Sequence, residues 1–191
     1  MVKKYIAAFI GLSFLLIAPA VSAQAFGIQQ GTPISRLNIV QKISPHYYSV
    51  NVPQPNDEFE SYTVVATPGA GVCKVTGIGK TLDADRYGSQ RLANFSSLRS
   101  ALTNRYGEPE HQFDFIRSGA LWTGAHEWAA SIRQNERTYT AFWTNVGNGL
   151  DGIELDVSAI TLSDTYIVVR YQFSNFEACR AEIDQHNNRG L

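Results

Sequence analysis

The residues of this chain that could do chemistry are four histidines, two cysteines and a few closely spaced acids among 191 residues. His126-Glu127 has the opening of the zinc-protease pattern, in which a second histidine four positions on puts two ligands on one helical face. That position is Ala130, so the second ligand is missing and an exposed His-Glu pair beside a buried Trp128 is expected. Gly77-Ile78-Gly79-Lys80-Thr81 has the ending of a phosphate-binding loop. Its first glycine would fall on Lys74, and no helix is expected directly after Thr81 to aim N–H groups at a phosphate. Those glycines suit a bulge or close packing within a strand. Asp83, Asp85 and Gly88 match early positions of a calcium loop, but Tyr87 and Asn94 occupy two positions that must supply ligands. The two acids instead favour the N-terminus of a following helix. There is no Gly-x-Ser-x-Gly nucleophile elbow, and His46, His111, His126 and His186 are scattered. Glu154 and Asp156 share one face of a strand and have the spacing of an acid pair, which a solvated sheet face also accounts for. No catalytic, metal-binding or cofactor-binding residue is assigned, and no cofactor is expected.

The N-terminus gives an address. Lys3 and Lys4, an apolar run over 5–20 and the small residues Val21-Ser22-Ala23 have the order of an export signal. Cleavage is expected after Ala23, or after Ala25, where Ala23-Gln24-Ala25 also fits. The apolar run falls short of the ~20 residues a spanning helix needs, so no stable membrane span is expected once residues 1–23 are removed. A periplasmic location follows, and the junction has no cysteine for lipid attachment. In an oxidising compartment Cys73 and Cys179 are expected to form a structural disulfide. Loss of Lys3 and Lys4 leaves 14 basic against 17 acidic residues, a net charge of about −3. Such a balance argues against a nucleic-acid partner.

Around these residues the hydrophobic pattern predicts mixed elements. Thr32-Pro33 has the form of a helix start, with Ile34, Leu37 and Ile39 or Val40 as an apolar face and Pro45 as the stop. Strands are expected over 47–52, 59–66 and 72–82. Leu92, Phe95, Leu98, Leu102 and Tyr106 then recur at steps of three and four, predicting a helix over 87–106 capped by Gly107. A short strand over 113–116 and a helix over 125–134 follow. Strands are expected over 137–144, 153–160 and 166–173, before a last helix from Ser174. In the two final strands Ile153, Leu155, Val157, Ala159, Ile167, Val169, Tyr171 and Phe173 alternate inward, leaving Glu154, Asp156, Arg170 and Gln172 outward.

Strands in runs with short turns predict an α+β fold: an antiparallel sheet with helices packed on one face. Residues 24–191 are expected to form a single domain, with two helix-plus-three-strand halves near 24–86 and 87–191. This element order is similar to small exported modules such as the barrel-assembly lipoprotein and the β-lactamase inhibitor protein, and the helix ending Tyr106-Gly107-Glu108-Pro109 resembles a feature of uncharacterised exported bacterial proteins. The likeness is one of element order and carries no residue roles.

The expected function is that of an exported, non-catalytic binding protein whose partner is a protein or peptide of the cell envelope. The candidate binding face comprises Glu154, Asp156, Arg170 and Gln172, with Trp122 in a loop as a further anchor. The alternative is a small periplasmic hydrolase whose site is assembled from scattered histidines and acids.

Overall fold

The structure, a computed structural model, describes residues 23–190, so the expected export signal lies outside the described residues except for Ala23. The described chain opens with a small hairpin, β1 (Gln24–Ala25) and β2 (Ile28–Gln29). Beyond Thr32-Pro33, the expected helix stops after one 3-10 turn, Ile34–Arg36, and gives way to β3 (Asn38–Ser44). Ile39, Val40 and Ile43 are β-branched and favour extended backbone, and Pro45-His46 turns the chain directly into β4 (Tyr47–Asn51).

The remaining strands are β5 (Phe59–Thr67), β6 (Gly71–Gly79), β7 (His111–Ile116), β8 (Arg137–Gly147), β9 (Leu150–Ala159) and β10 (Thr165–Phe173). They form one antiparallel sheet in the order β3-β4-β5-β6-β10-β9-β8-β7. Two four-strand meanders therefore meet at β6 and β10 in place of two helix-plus-three-strand halves, the fourth strand of the second half being the short one expected over 113–116. Recruitment of residues 38–44 as a strand accounts for the added strand in the first half, and one apolar core runs across the junction. The alternation expected of the last strands is present: Ile153, Leu155, Val157, Ile167, Val169 and Phe173 are buried, and Ala159 and Tyr171 are half-buried against the same core.

Helix α1 (Ser89–Tyr106) lies over β8, β9 and β10. Its start is anchored by a buried polar pair. The Asp85 carboxylate accepts the Arg91 backbone N–H at 2.9 Å. The Arg91 guanidinium, in turn, donates to the carbonyls of Lys80 (3.0 Å) and Thr165 (2.7 Å). At the other end Gly107 takes a φ of 87°, which a residue with a side chain resists. Its carbonyl accepts the Trp143 indole N–H at 2.7 Å. Phe95 packs edge-on against Tyr139. Helix α2 (Trp128–Arg133) covers β8 and β9 on the same face, with Trp128 also against Tyr139.

Helix α3 (Phe176–Asn187) is placed differently. It packs on β5 and β6 and is joined to the sheet by the Cys73–Cys179 disulfide. The β5–β6 register shifts between Val65 and Ala66, leaving Cys73 as the extra residue beside Lys74. The shift interrupts the strict alternation of β6. Thr67 bonds to Cys179, and Lys74 lies 5.8 Å from the Phe176 ring. So α1 and α2 cover one face, as expected of the helices, while α3 closes the β5–β6 end of the other. The disulfide spans 106 residues of sequence, a closure that restricts the unfolded chain by roughly 4–5 kcal/mol on the entropy model. None of the helices among the described residues is long and apolar enough to cross a membrane.

Candidate binding surface

The centre of the face opposite α1 and α2 is built by strand register. Arg170 on β10 stands across from Glu154 on β9 and Thr76 on β6, and Asp156 follows two residues along β9. Its guanidinium bridges both acids, at 3.2 Å from the Glu154 carboxylate and in close contact with that of Asp156. Ser158 donates its hydroxyl to Asp156 as well, at 3.3 Å. Burial pushes the Asp156 carboxyl above the usual range, and Glu154 adds to this, although the Arg170 charge opposes it. Burial also works against the Arg170 cation, yet the two carboxylates outweigh it and hold the guanidinium charged. The Lys74 ammonium is lowered by burial and by Arg170, with Glu154 acting against that. Gln172 adjoins this group in a shallow depression of about 230 Å³ that Lys74 and Phe142 also line. The four residues expected to share an outer face thus do so, and three of them are bound to one another.

Trp122 is elsewhere. It is half-buried in the loop after β7, while its neighbour Leu121 is 83% exposed. The loop is held by Glu136, whose carboxylate accepts the backbone N–H groups of Leu121 and Trp122, each at 2.8 Å. Those bonds, with help from Arg117, hold the Glu136 carboxyl below its ordinary value against the opposing effect of burial. Glu136 could not be singled out from the sequence, because its partners are backbone atoms that any residue carries.

The remaining sequence candidates lie apart from this face. Asp85 is engaged by the start of α1, and among the described residues no group of three or more His, Cys, Asp or Glu could hold a metal ion. A side chain at Gly77 would come within 3.0 Å of Phe59 and 3.1 Å of Phe26, so the glycine serves close packing. His126 lies 3.8 Å from Glu127 at the surface beside the buried Trp128, and His111 lies 3.7 Å from Glu110. His46 and His186 meet edge to face, with ring centres 5.1 Å apart, at the end of α3. The histidines therefore occupy three separate places.

The sheet also has two bare edges. Every residue of β3 is exposed, but its pairing with β4 is broken by two register shifts. β7 pairs with β8 in unbroken register over six residues. Phe113 and Phe115 are 40% and 50% exposed on it, and Phe113 packs against Phe142 of β8. Bulges discourage strand addition at an edge, whereas a regular one invites it. The sequence signal for this edge was the alternation of Phe113 and Phe115 in a short polar strand. In comparisons with known proteins, no family model, no curated protein and no solved structure matches this chain.

Proposed function

We propose that this is an exported, non-catalytic binding protein of the cell envelope, and that its open sheet face receives an extended segment of a protein or peptide partner. One observation carries the reading: a regular β7 edge, bearing Phe113 and Phe115, adjoins a polar face centred on Arg170. Strand addition supplies main-chain hydrogen bonds, and alternating side chains supply selectivity. Phe113 and Phe115 would flank the incoming strand, while Lys74, Arg170 and the two acids offer charges of both signs farther in. The hydrolase alternative has less support. Its site would join scattered histidines and acids, but the four histidines occupy three separate places and Glu154 and Asp156 are both engaged by Arg170.

The test is crosslinking in intact cells, with a photoreactive residue introduced at position 115 and the adducts identified by mass spectrometry. A discrete adduct is expected, and it should be lost in a folded Phe113→Ser variant and weakened in a folded Glu154→Ala, Asp156→Ala, Arg170→Ala variant. The same adduct in equal yield from all three proteins would reject this surface.

A further inference from the structure

The covered face contains a hollow that its side chains line without filling. A cavity of about 320 Å³ opens between α1 and the N-terminal hairpin. Phe26 and Phe59 form one wall, Leu98 and Leu102 of α1 the other, and Leu155 and Val169 the floor. At one end stand Tyr106 and Tyr171, ring centres 6.4 Å apart, and Arg105 is exposed at the rim. Apolar walls with a few convergent polar groups are the general form of a small-molecule site.

Two observations indicate a purpose beyond loose packing. The first is that the polar groups are free. Among the described residues neither phenol hydroxyl has a hydrogen-bond partner, and Arg105 has neither an ion pair nor a hydrogen bond, only the Tyr106 ring 5.2 Å away. Burial pushes both phenols above their ordinary value while Arg105 opposes it, so both remain neutral donors in neutral solution. The second is strain. Phe26 sits at a φ of 52°, in the left-handed region that a bulky residue rarely adopts, beside Gly27 at 80°. Asparagine or glycine would relax such a turn, but neither would place a ring against Phe59, Tyr62 and Tyr171. The conformation is kept where it completes the wall of the hollow, and strained residues of this kind gather at ligand-holding sites.

We infer that this cavity binds a small apolar molecule carrying a carboxylate, with Arg105 and the Tyr106 and Tyr171 hydroxyls holding the head and the aliphatic and aromatic walls holding the body. Among the described residues Arg105 is the one cation lining the cavity, and beside it the two phenols and the Gln24 amide can each donate, a set that suits an anionic acceptor. At the ~30 Å³ that one water occupies in the liquid, the volume corresponds to roughly ten non-hydrogen atoms. Octanoate has that size. The inference rests on the opposite face from the proposed partner surface and stands or falls separately from it.

The test is calorimetric titration of the full chain, purified as the cell processes it, with octanoate and with octylammonium as a cation of the same chain length. Saturable one-to-one binding of octanoate is expected, with octylammonium at least tenfold weaker. Arg105→Gln and Tyr171→Phe should each weaken octanoate on the order of tenfold, the usual effect of losing a hydrogen bond to a charge, without lowering the melting temperature of the free protein by more than a few degrees. Ala101→Phe, which fills the rim from an exposed position, should block binding altogether. Equal affinity for the two probes, undiminished octanoate binding in the Arg105 and Ala101 variants, or no saturable octanoate binding would overturn the assignment.

Discussion

On one side of β9 and β10, Leu155 and Val169 lie beneath α1. One residue along the same strands, Glu154, Asp156 and Arg170 face the opening. Away from the Asp85–Arg91 pair at the start of α1, the covered side meets the cost of removing side chains from water by using apolar groups and the two neutral phenols Tyr106 and Tyr171. Across the sheet, the open side keeps its charges and balances its two central acids locally through Arg170. Even there the environment is not that of free solution, because Asp156 holds its proton more tightly than an exposed aspartate would. A face with no helix over its centre can still desolvate a charge when neighbouring strands supply long side chains. The structural stability of the sheet should therefore reside on the covered side, and its electrostatic sensitivity on the open one.

Aromatic truncation is the strongest way to break that comparison. Phe95 is 1% exposed against Tyr139, and Phe95→Ala should cost about 3–5 kcal/mol in urea unfolding. Phe113→Ala, at the β7 edge of the open side, should stay within ~0.5 kcal/mol. Comparable losses at the two positions would mean that the open side is covered in solution.

The alternation that creates the two sides was legible in Ile153 to Ala159 and Ile167 to Phe173, because period two leaves a strand no choice of face. Several features were hidden for identifiable reasons. Residues 38–44 follow a good helix cap, and only the β-branched Ile39, Val40 and Ile43 tell against a helix there. The placement of α3 depends on a register shift at Cys73, which is a property of paired strands. Arg91 and Glu136 are buried on backbone partners, which carry no sequence signature. Tyr106 and Tyr171 are 65 positions apart, and Tyr106 belongs to a stripe whose periodicity identifies the face but not a hollow beneath it.

A smaller effect sharpens the electrostatic side. Arg170→Ala leaves Glu154 and Asp156 facing each other without their cation, and should cost about 1–3 kcal/mol, since the site is only partly buried. The triple variant Glu154→Ala, Asp156→Ala, Arg170→Ala should cost less than the single one, because no charge is stranded. Chemical denaturation of both variants measures the difference. A triple variant less stable than Arg170→Ala would mean that these side chains act chiefly through packing.

The smallest expected effect is a pair of opposed pH dependences. Glu136 has a folded-state value below its ordinary 4.5, so its contribution to stability is present above that pH and is lost as the pH falls through the window beneath it. Asp156 has a folded-state value above its ordinary 3.8. The folded state then holds the proton longer than the unfolded state, and stability declines as the pH rises from 3.8 through that raised value. Urea midpoints measured from pH 3 to pH 7 should separate the two. Relative to wild type, Glu136→Gln should lose ground as the pH rises through the window beneath about 4.5 and hold steady above it, and Asp156→Asn should gain ground over its own window. The opposite slopes follow from what surrounds each carboxylate: backbone N–H groups stabilise the Glu136 anion, whereas desolvation at Asp156 exceeds what Arg170 returns. If Asp156→Asn instead loses ground with rising pH, the Arg170 bridge outweighs burial. The open face would then be a salt-bridged surface much like any other, rather than one that partly withholds its charge from water.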